Sequence, residues 1–187
     1  MSNHTIEVNN LKYKYPNGWQ ALSSVDFQIG HGESVGIVGA NGAGKSTLLM
    51  HLVGILFLNE GEIRIGGVKV TKKTLSFIRQ SVGMVFRNPD DQLFMTTVYD
   101  DVAFGPRNYK LDEEEVARRV IKSLETVGIV HLKDRAPYKL SGGEKRAAAI
   151  ASVLSMNPDI LVMDEPSYAL DPKSRRRLIT LLQKIPH

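Results

Sequence analysis

The fold is decided by the stretch Gly39-Ala40-Asn41-Gly42-Ala43-Gly44-Lys45-Ser46-Thr47, whose spacing fits the phosphate-binding P-loop pattern Gly-x-x-x-x-Gly-Lys-Ser/Thr. An apolar run at residues 34–38 precedes it, and apolar residues at helical spacing follow at 48–53. This order predicts a buried strand, a glycine-rich loop and a helix, which is the context that a P-loop requires. The alternative is a glycine-rich turn that carries a lysine by chance, and the flanking strand and helix disfavour it.

The chemistry of this loop can be predicted from its residue types. Glycine has no Cβ, so the loop backbone can adopt left-handed conformations and turn its N–H groups towards phosphate oxygens. The helix that follows adds the positive end of its dipole. We expect Lys45 to bridge the terminal phosphates and the Ser46 hydroxyl to ligate Mg²⁺. The residues predicted to hold a nucleotide here are Gly39, Asn41, Gly42, Gly44, Lys45, Ser46 and Thr47.

Composition limits what can be built around the loop. The chain has 187 residues, enough for one domain with a substantial core, a net charge of +4, and no cysteine for disulfides or thiolate metal sites. Its basic clusters, such as Lys72-Lys73 and residues 175–177, are typical of solvated helix faces; docking on a membrane surface or nucleic acid is the minority alternative. With no apolar run long enough to cross a bilayer and a polar start at residues 1–4, we expect a soluble protein without a secretory signal.

Strand patterns lie on both sides of the loop. Residues 6–13 and 25–29 alternate partly between apolar and polar, which predicts an antiparallel layer of half-buried strands. Tyr15 follows the first of them, where its ring could stack on a purine, although an ordinary surface tyrosine fits the spacing about as well. Residues 82–86 indicate a buried strand, and the polar loop 87–94 after it lies where open α/β sheets meet their ligands.

The middle of the chain has a different character. Asp112 and Glu115 have the spacing of a helix N-terminus, and apolar residues at helical spacing follow until Gly128. Because no strand accompanies this amphipathic helix, we expect a helical lobe at about residues 87–157, inserted into a nucleotide-binding core. The predicted class is α/β: a P-loop core of residues 1–86 and 158–187, an antiparallel β layer and the inserted lobe.

The lobe ends in Leu140-Ser141-Gly142-Gly143-Glu144. Ser141 and Glu144 have capping-box spacing, so a well-capped helix is the simplest interpretation. The paired glycines let backbone N–H groups approach an anion closely at the start of the helix. They favour a second phosphate-binding surface.

An apolar strand at residues 159–163 ends in two carboxylates, Asp164 and Glu165. In a P-loop protein we expect the first to hold Mg²⁺ through water, together with Ser46, and the second to orient and polarise the attacking water. Asp171 with Pro172 is then predicted to cap a last helix.

Together these residues resemble the nucleotide-binding subunit of an ATP-binding cassette (ABC) transporter. The signature at residues 140–144, between the P-loop and the carboxylate pair, is specific to that superfamily among P-loop proteins. Residues 88–94 and 100–106 resemble the cobalt, nickel and vitamin importers of the energy-coupling-factor type. The resemblance covers nearly the whole chain and implies an ATPase that uses ATP and Mg²⁺ to power such an importer.

The resemblance also implies roles and partners. In that family two subunits pack head to tail, and each ATP lies between the P-loop of one and the signature of the other. Tyr15 then falls at the adenine-stacking position, Ser141, Gly142 and Gly143 contact the partner's ATP, and Asp171 lies in the loop that crosses the dimer seam. The implied partners are a second cassette subunit and an integral membrane component, with no nucleic acid. The implied location is peripheral, on the cytoplasmic face of the cell membrane.

The chain departs from the family pattern in three places. Arg87 stands where the family has a glutamine that touches Mg²⁺ and the attacking water; a guanidinium cannot ligate a metal but can pair with phosphate or carboxylate. Gln92 belongs to the following motif and is no replacement. Ala147 stands where the signature helix usually carries an arginine. The family's switch histidine follows one more strand, so we expect a C-terminally truncated core without its final strand or strands, and His187 is not that histidine.

Two hypotheses of different classes follow. In the first, the chain is a transport ATPase in which Glu165 holds the attacking water. In the second, it is a truncated, hydrolysis-impaired cassette that supplies its signature and Asp171 to the ATP of a complete partner. A cassette ATPase of DNA repair or translation is disfavoured by the transporter-type loop after Phe86. Three other histidines, His31, His51 and His131, are expected to be structural or solvated.

Overall fold

The computed structural model describes residues 6–183, in which strands and helices are mixed along the chain. The strands are β1 (Ile6–Lys14), β2 (Gln20–Ile29), β3 (Glu60–Ile65), β4 (Val68–Lys69), β5 (Val82–Val85) and β6 (Ile160–Met163). The helices are α1 (Lys45–Leu52), α2 (Leu75–Ser81), α3 (Val98–Asn108), α4 (Glu113–Thr126), α5 (Gly142–Leu154) and α6 (Pro172–Leu182).

The first four strands form an antiparallel sheet in the order β2-β1-β3-β4. Val8 on β1 lies opposite Phe27 on β2 and Ile63 on β3. Val8, Ile63 and Ile65 are almost completely buried, as expected where alternate side chains of a strand point to one covered face. Leu11 is completely buried as well, because the register of β1 shifts between Val8 and Leu11. The predicted antiparallel layer is confirmed.

The strand predicted at residues 34–38 was wrong. Residues 31–43 are exposed, Val38 at 96 %, and residues 34–38 belong to no strand. A parallel strand forms only where neighbouring strands supply its ladder hydrogen bonds, and no described strand pairs with this segment. The apolar run has strand composition but lacks a pairing partner.

Strands β5 and β6 pair with each other in a second, two-stranded sheet. The backbone N–H of Asp164, directly after β6, donates a hydrogen bond of 3.0 Å to the carbonyl of Val85. This bond brings the segment that follows β5, beginning with Phe86 and Arg87, beside the carboxylates that follow β6.

Helices α3, α4 and α5 pack around a common apolar cluster. Val102 of α3, Val120 and Leu124 of α4 and Ala148 of α5 are completely buried in it. The predicted amphipathic helix is confirmed as α4, where the Asp112 side chain accepts a hydrogen bond of 2.8 Å from the N–H of Glu115. Side-chain capping satisfies an N–H group that the first helical turn would otherwise leave unpaired.

The chain is organised as two compact units. Among the described residues, the first comprises residues 6–83 together with Asp159–Val162, and the second comprises Met84–Pro158 and residues 163–183. Within residues 6–183, no helix is both long and apolar enough to span a bilayer. The predicted end of the last helix at residue 184, and His187, lie outside the described residues.

Candidate functional site

Two of the three P-loop glycines have the left-handed conformation that the sequence predicted, and Gly39 does not. Gly42 and Gly44 have φ angles of 80° and 88°, in the left-handed region. A Cβ at Gly44 would lie 2.5 Å from the carbonyl oxygen of Ala21 in β2, whereas a Cβ at Gly42 would meet nothing within 4 Å. Gly44 is therefore required both by conformation and by the close approach of β2.

The start of helix α1 is open to an anion. Gly44 is its N-cap and offers no side chain to the first N–H groups of the helix, which remain available for phosphate oxygens. Lys45 Nζ donates hydrogen bonds of 2.9 Å and 3.0 Å to the carbonyl oxygens of Gly39 and Ala40. The ammonium group thus lies over the loop, close to where the loop would hold phosphate.

Tyr15 is fixed to the P-loop helix. Its hydroxyl lies 3.1 Å from Thr47 Oγ1, and its ring stacks on Trp19 with centroids 5.6 Å apart and planes inclined by 16°. The N–H of Tyr15 also donates a bond of 2.9 Å to the carbonyl of Trp19, which closes the turn between β1 and β2. The adenine-stacking role of Tyr15 stays a prediction, but Trp19 is a neighbour that sequence reasoning missed, although an aromatic residue four positions away across a turn was a signal for it.

His51 is a structural histidine, as expected. It is completely buried, its Nδ1 lies 2.7 Å from the carbonyl oxygen of Thr47, and its ring meets Tyr13 edge-on at 4.6 Å. Burial lowers the pKa of His51, since a charged imidazolium loses its hydration there. The ring is thus part of the packing beneath the P-loop helix.

The signature residues form the predicted capping box at the start of α5. The Ser141 N–H and hydroxyl donate to Glu144 Oε2 at 2.7 Å and 2.8 Å, and the Glu144 N–H donates to Ser141 Oγ at 3.4 Å. These bonds lower the pKa of Glu144 by stabilising its carboxylate. Gly142 faces open space, whereas a Cβ at Gly143 would lie 2.7 Å from Ser174 Oγ. The phosphate-binding role of Ser141, Gly142 and Gly143 stays a prediction.

The catalytic carboxylate predicted from sequence, Glu165, is ion-paired. Arg87 Nε lies 3.2 Å from Glu165 Oε2, and the Arg87 guanidinium carbon lies 3.9 Å from the centre of the Tyr168 ring. Glu165 has a φ of 41°, an uncommon conformation for a residue with a Cβ. Its neighbour Asp164 is buried. The sequence left phosphate and carboxylate as possible partners of the Arg87 guanidinium, and in the structure its partner is the Glu165 carboxylate.

Two residues hold the loop that carries Arg87. Arg146 of α5 is 3 % exposed and donates to the carbonyl oxygens of Phe86 at 2.7 Å and Arg87 at 2.5 Å. Gln92 accepts a bond of 3.2 Å from the Phe86 N–H and donates one of 2.7 Å to the carbonyl of Ala149. The Gln92 amide is therefore engaged with the backbone of Phe86 and Ala149.

Sequence reasoning missed the role of Arg146, one position before the noted Ala147. No motif in the sequence indicates that Arg146 is buried. An arginine directly before three alanines of an apolar helix was nevertheless a signal of a buried side chain. Burial lowers the pKa of Arg146, and hydrogen bonds to two carbonyls partly replace the lost water.

Asp171 begins helix α6 as predicted. Its carboxylate accepts bonds from the N–H groups of Lys173 at 2.9 Å and Ser174 at 3.1 Å, and from the Ser174 hydroxyl at 2.6 Å. These hydrogen bonds stabilise the carboxylate and lower the pKa of Asp171, and those from Ser174 have the largest effect. A role across a dimer seam stays a prediction, but the cap explains why aspartate suits this position.

The predicted residues are divided between the two units. Tyr15 and the P-loop residues from Gly39 to Thr47 lie in the first, whereas Ser141–Gly143, Asp164, Glu165 and Asp171 lie in the second. Within residues 6–183, no cluster of three or more histidine or carboxylate side chains has the arrangement of a protein-only metal site. The predicted Mg²⁺ ligands, the Ser46 hydroxyl and the Asp164 carboxylate, are oxygen donors of the kind that Mg²⁺ takes together with substrate phosphates and water.

Comparison with known families and proteins gives concordant results. The ABC transporter family profile matches residues 22–168. A Geobacter sulfurreducens protein described as an ABC transporter ATP-binding protein is 58 % identical over 187 residues, which is 100 % of this chain and 75 % of that protein. The energy-coupling factor transporter ATP-binding protein EcfA of Methanothermobacter thermautotrophicus is 50 % identical over 182 residues, 96 % of this chain and 58 % of the relative.

A solved structure extends the comparison to the fold. The cbiO1 protein of Clostridium perfringens, described as part of the ABC transporter complex cbiONQ, superposes with a TM-score of 0.86 at 41 % sequence identity. The match covers 96 % of this chain and 72 % of cbiO1. The mixed α/β fold predicted from the P-loop outward is thereby confirmed.

Proposed function

This chain belongs to the ABC transporter family, and on that premise we propose that it binds ATP with Mg²⁺ and hydrolyses the ATP to power a transporter. The observation that carries the proposal is the P-loop geometry. Gly42 and Gly44 adopt left-handed conformations, helix α1 begins without a side-chain cap, and Lys45 Nζ lies over the loop. These features together suit a polyphosphate.

In the proposed reaction, the oxygen of a water molecule bonds to the γ-phosphorus while the bond from that phosphorus to the β,γ-bridging oxygen breaks. The P-loop N–H groups and Lys45 bind and orient the phosphates, and Glu165 orients the water and accepts the proton that it loses. That proton passes on to phosphate or solvent as ADP leaves. Mg²⁺, for which Ser46 and Asp164 are the proposed ligands, supplies charge neutralisation at the phosphates when bound.

The transporter is proposed to be an importer of the energy-coupling-factor type, for cobalt, nickel or a vitamin. Similarity to EcfA and cbiO1 supports this type, and so do the motifs at residues 88–94 and 100–106. The proposed partners are a second cassette subunit, to whose ATP Ser141 and Asp171 would be presented, and an integral membrane component. The subunit would then act at the cytoplasmic face of the membrane.

ATP binding and hydrolysis by the purified chain test the enzymatic part. Lys45→Ala should abolish tight binding of a fluorescent ATP analogue, whereas Lys73→Ala, which removes an exposed lysine outside the P-loop, should leave binding unchanged. Glu165→Gln should keep binding and lose hydrolysis. Equal binding by Lys45→Ala and the unmodified chain would contradict the proposal.

Uptake measurements test the transport part. Deletion of the gene for this chain should reduce cellular uptake of one of Co²⁺, Ni²⁺ or a radiolabelled vitamin, and expression of the unmodified chain should restore it. Restoration by Glu165→Gln would show that hydrolysis at this site does not drive the uptake.

A further inference from the structure

The Arg87 guanidinium joins two side chains that follow strand β6. Its Nε lies 3.2 Å from Glu165 Oε2, and its central carbon lies over the Tyr168 ring, 3.9 Å from the ring centre. A guanidinium can do both at once, because its N–H groups point outward in the plane while its face is free to stack. A glutamine at this position could form neither an ion pair nor a cation–π contact, because it carries no charge.

The backbone on both sides of this contact is held. The carbonyl oxygens of Phe86 and Arg87 accept hydrogen bonds from the buried Arg146. On the other side, the Tyr168 N–H donates a bond of 2.9 Å to the carbonyl of Glu165 and closes a turn. The three side chains therefore meet because their backbones are fixed, rather than by chance encounter of mobile loops.

The contact competes with the proposed role of Glu165. A carboxylate that orients an attacking water must lie within hydrogen-bond reach of that water. In the ion pair, Glu165 Oε2 is directed to a guanidinium instead. The side-chain exposures of Arg87 and Glu165 are 44 % and 29 %, so solvent screens the pair and leaves it weak enough to open.

We propose that Arg87, supported by the Tyr168 ring, is a positioning residue that holds the Glu165 carboxylate in an ion-paired resting arrangement which must open before ATP is hydrolysed. This arrangement, the arginine clamp, consists of Arg87, Glu165 and Tyr168. The inference rests on the proposed ATPase function and goes beyond it, because it assigns this chain a brake on hydrolysis. An exposed ion pair and an exposed cation–π contact together favour the closed arrangement over the open one by a factor on the order of ten.

Steady-state hydrolysis by variants of the full chain tests the clamp. Arg87→Met should raise kcat by about threefold to tenfold, with KM for ATP changed less than twofold, because methionine removes the charge without supplying the amide that the family's glutamine brings to Mg²⁺ and the attacking water. Tyr168→Leu, which removes only the stacking surface, should give a smaller rise. Arg107→Met is the matched control: Arg107 is 41 % exposed and pairs with Glu113 at 3.0 Å in the same unit, and its loss should leave kcat unchanged.

Salt provides a readout that a purely structural role would not move. Added NaCl screens exposed ion pairs, so kcat of the unmodified chain should rise towards that of Arg87→Met, and the ratio of the variant's kcat to that of the unmodified chain should fall. Arg87→Lys keeps the charge but loses the planar guanidinium group. Its kcat should therefore lie between that of the unmodified chain and that of the neutral variant.

The outcomes separate the clamp from the proposed function. If the unmodified chain hydrolyses ATP and Arg87→Met is equally active or slower, the clamp is refuted and the ATPase function stands. If neither chain hydrolyses ATP, although both bind the fluorescent analogue, hydrolysis and clamp are both refuted. If neither binds the analogue, the nucleotide-binding proposal itself fails.

Discussion

Substitution of Gly44 by alanine should destabilise the chain far more than the same substitution at Gly42. Both glycines have left-handed backbone conformations, with φ angles of 88° and 80°. Holding alanine in that region costs about 1–2 kcal/mol at either position. Alanine also restricts the unfolded chain, which offsets about 0.4–1 kcal/mol of that cost.

The two positions differ in what surrounds the new methyl group. At Gly42 it would meet nothing within 4 Å, so a net loss of about 1 kcal/mol is expected. At Gly44 it would lie 2.5 Å from the Ala21 carbonyl oxygen and 3.0 Å from Leu22 Cδ2, so backbone must move. Overpacking of this kind adds about 1–3 kcal/mol, which brings the expected loss for Gly44→Ala to about 2–4 kcal/mol.

Urea unfolding followed by far-ultraviolet circular dichroism measures the difference. The midpoint should shift with an unchanged slope, since neither substitution alters the surface exposed on unfolding. Equal losses for the two variants would refute the close approach of β2 to the P-loop. A loss at Gly42 larger than at Gly44 would show that loop strain, and not packing against Ala21, determines the glycine requirement.

Three further predictions use other contacts. Arg146→Met should lower the free energy of unfolding in urea by about 2–4 kcal/mol, because the carbonyls of Phe86 and Arg87 lose a charged donor. Trp19→Leu should weaken binding of the fluorescent ATP analogue about threefold to tenfold, since Tyr15 loses the ring stacked on it; titration of the analogue measures this. His51→Gln should reduce the loss of stability that acid causes below pH 6.5, measured by urea unfolding at several pH values. Because the pKa of His51 is lowered in the folded chain, the unfolded chain binds a proton first as the pH falls, and the free energy of unfolding drops by up to about 1.4 kcal/mol per pH unit.

Each of these expectations can be contradicted separately. Arg146→Met at full stability would mean that water replaces the guanidinium at both carbonyls. Unchanged analogue affinity in Trp19→Leu, with a loss in Tyr15→Leu, would confine the purine platform to Tyr15. An acid profile of His51→Gln identical to that of the unmodified chain would place the titrating group elsewhere.

Local patterns predicted the helix starts well, because capping is a short-range property. Asp112 with Glu115, Ser141 with Glu144, and Asp171 before Pro172 each have their donors and acceptors within three residues. The same holds for Gly42 and Gly44, whose left-handed conformations are favoured by the lack of a Cβ, but not for Gly39. The sequence was therefore sufficient to predict these helix starts and the residues that cap them.

Patterns predicted poorly where partners come from distant parts of the chain. Residues 34–38 have strand composition, but a strand also needs neighbours, and composition cannot supply them. Arg87 was recognised as a departure, yet its partner could have been phosphate or carboxylate on chemical grounds alone. The ion pair joins positions 87 and 165, and only the pairing of β5 with β6 brings them together.

The position of Arg146 links the signature helix to the arginine clamp. Helix α5 begins at the capping box of Ser141, and five residues along the same helix the Arg146 side chain holds the carbonyl of Arg87. Helix α5 is continuous from Gly142 to Leu154, so we expect its start and Arg146 to move together. Because Arg146 bonds to the carbonyl of Arg87, we expect a ligand or subunit that moves the signature to shift the guanidinium relative to Glu165 as well. The arginine clamp therefore lies where a contact at the signature could open it. Arg146→Met should uncouple the signature from the clamp, because it removes the hydrogen bond from Arg146 to the carbonyl of Arg87.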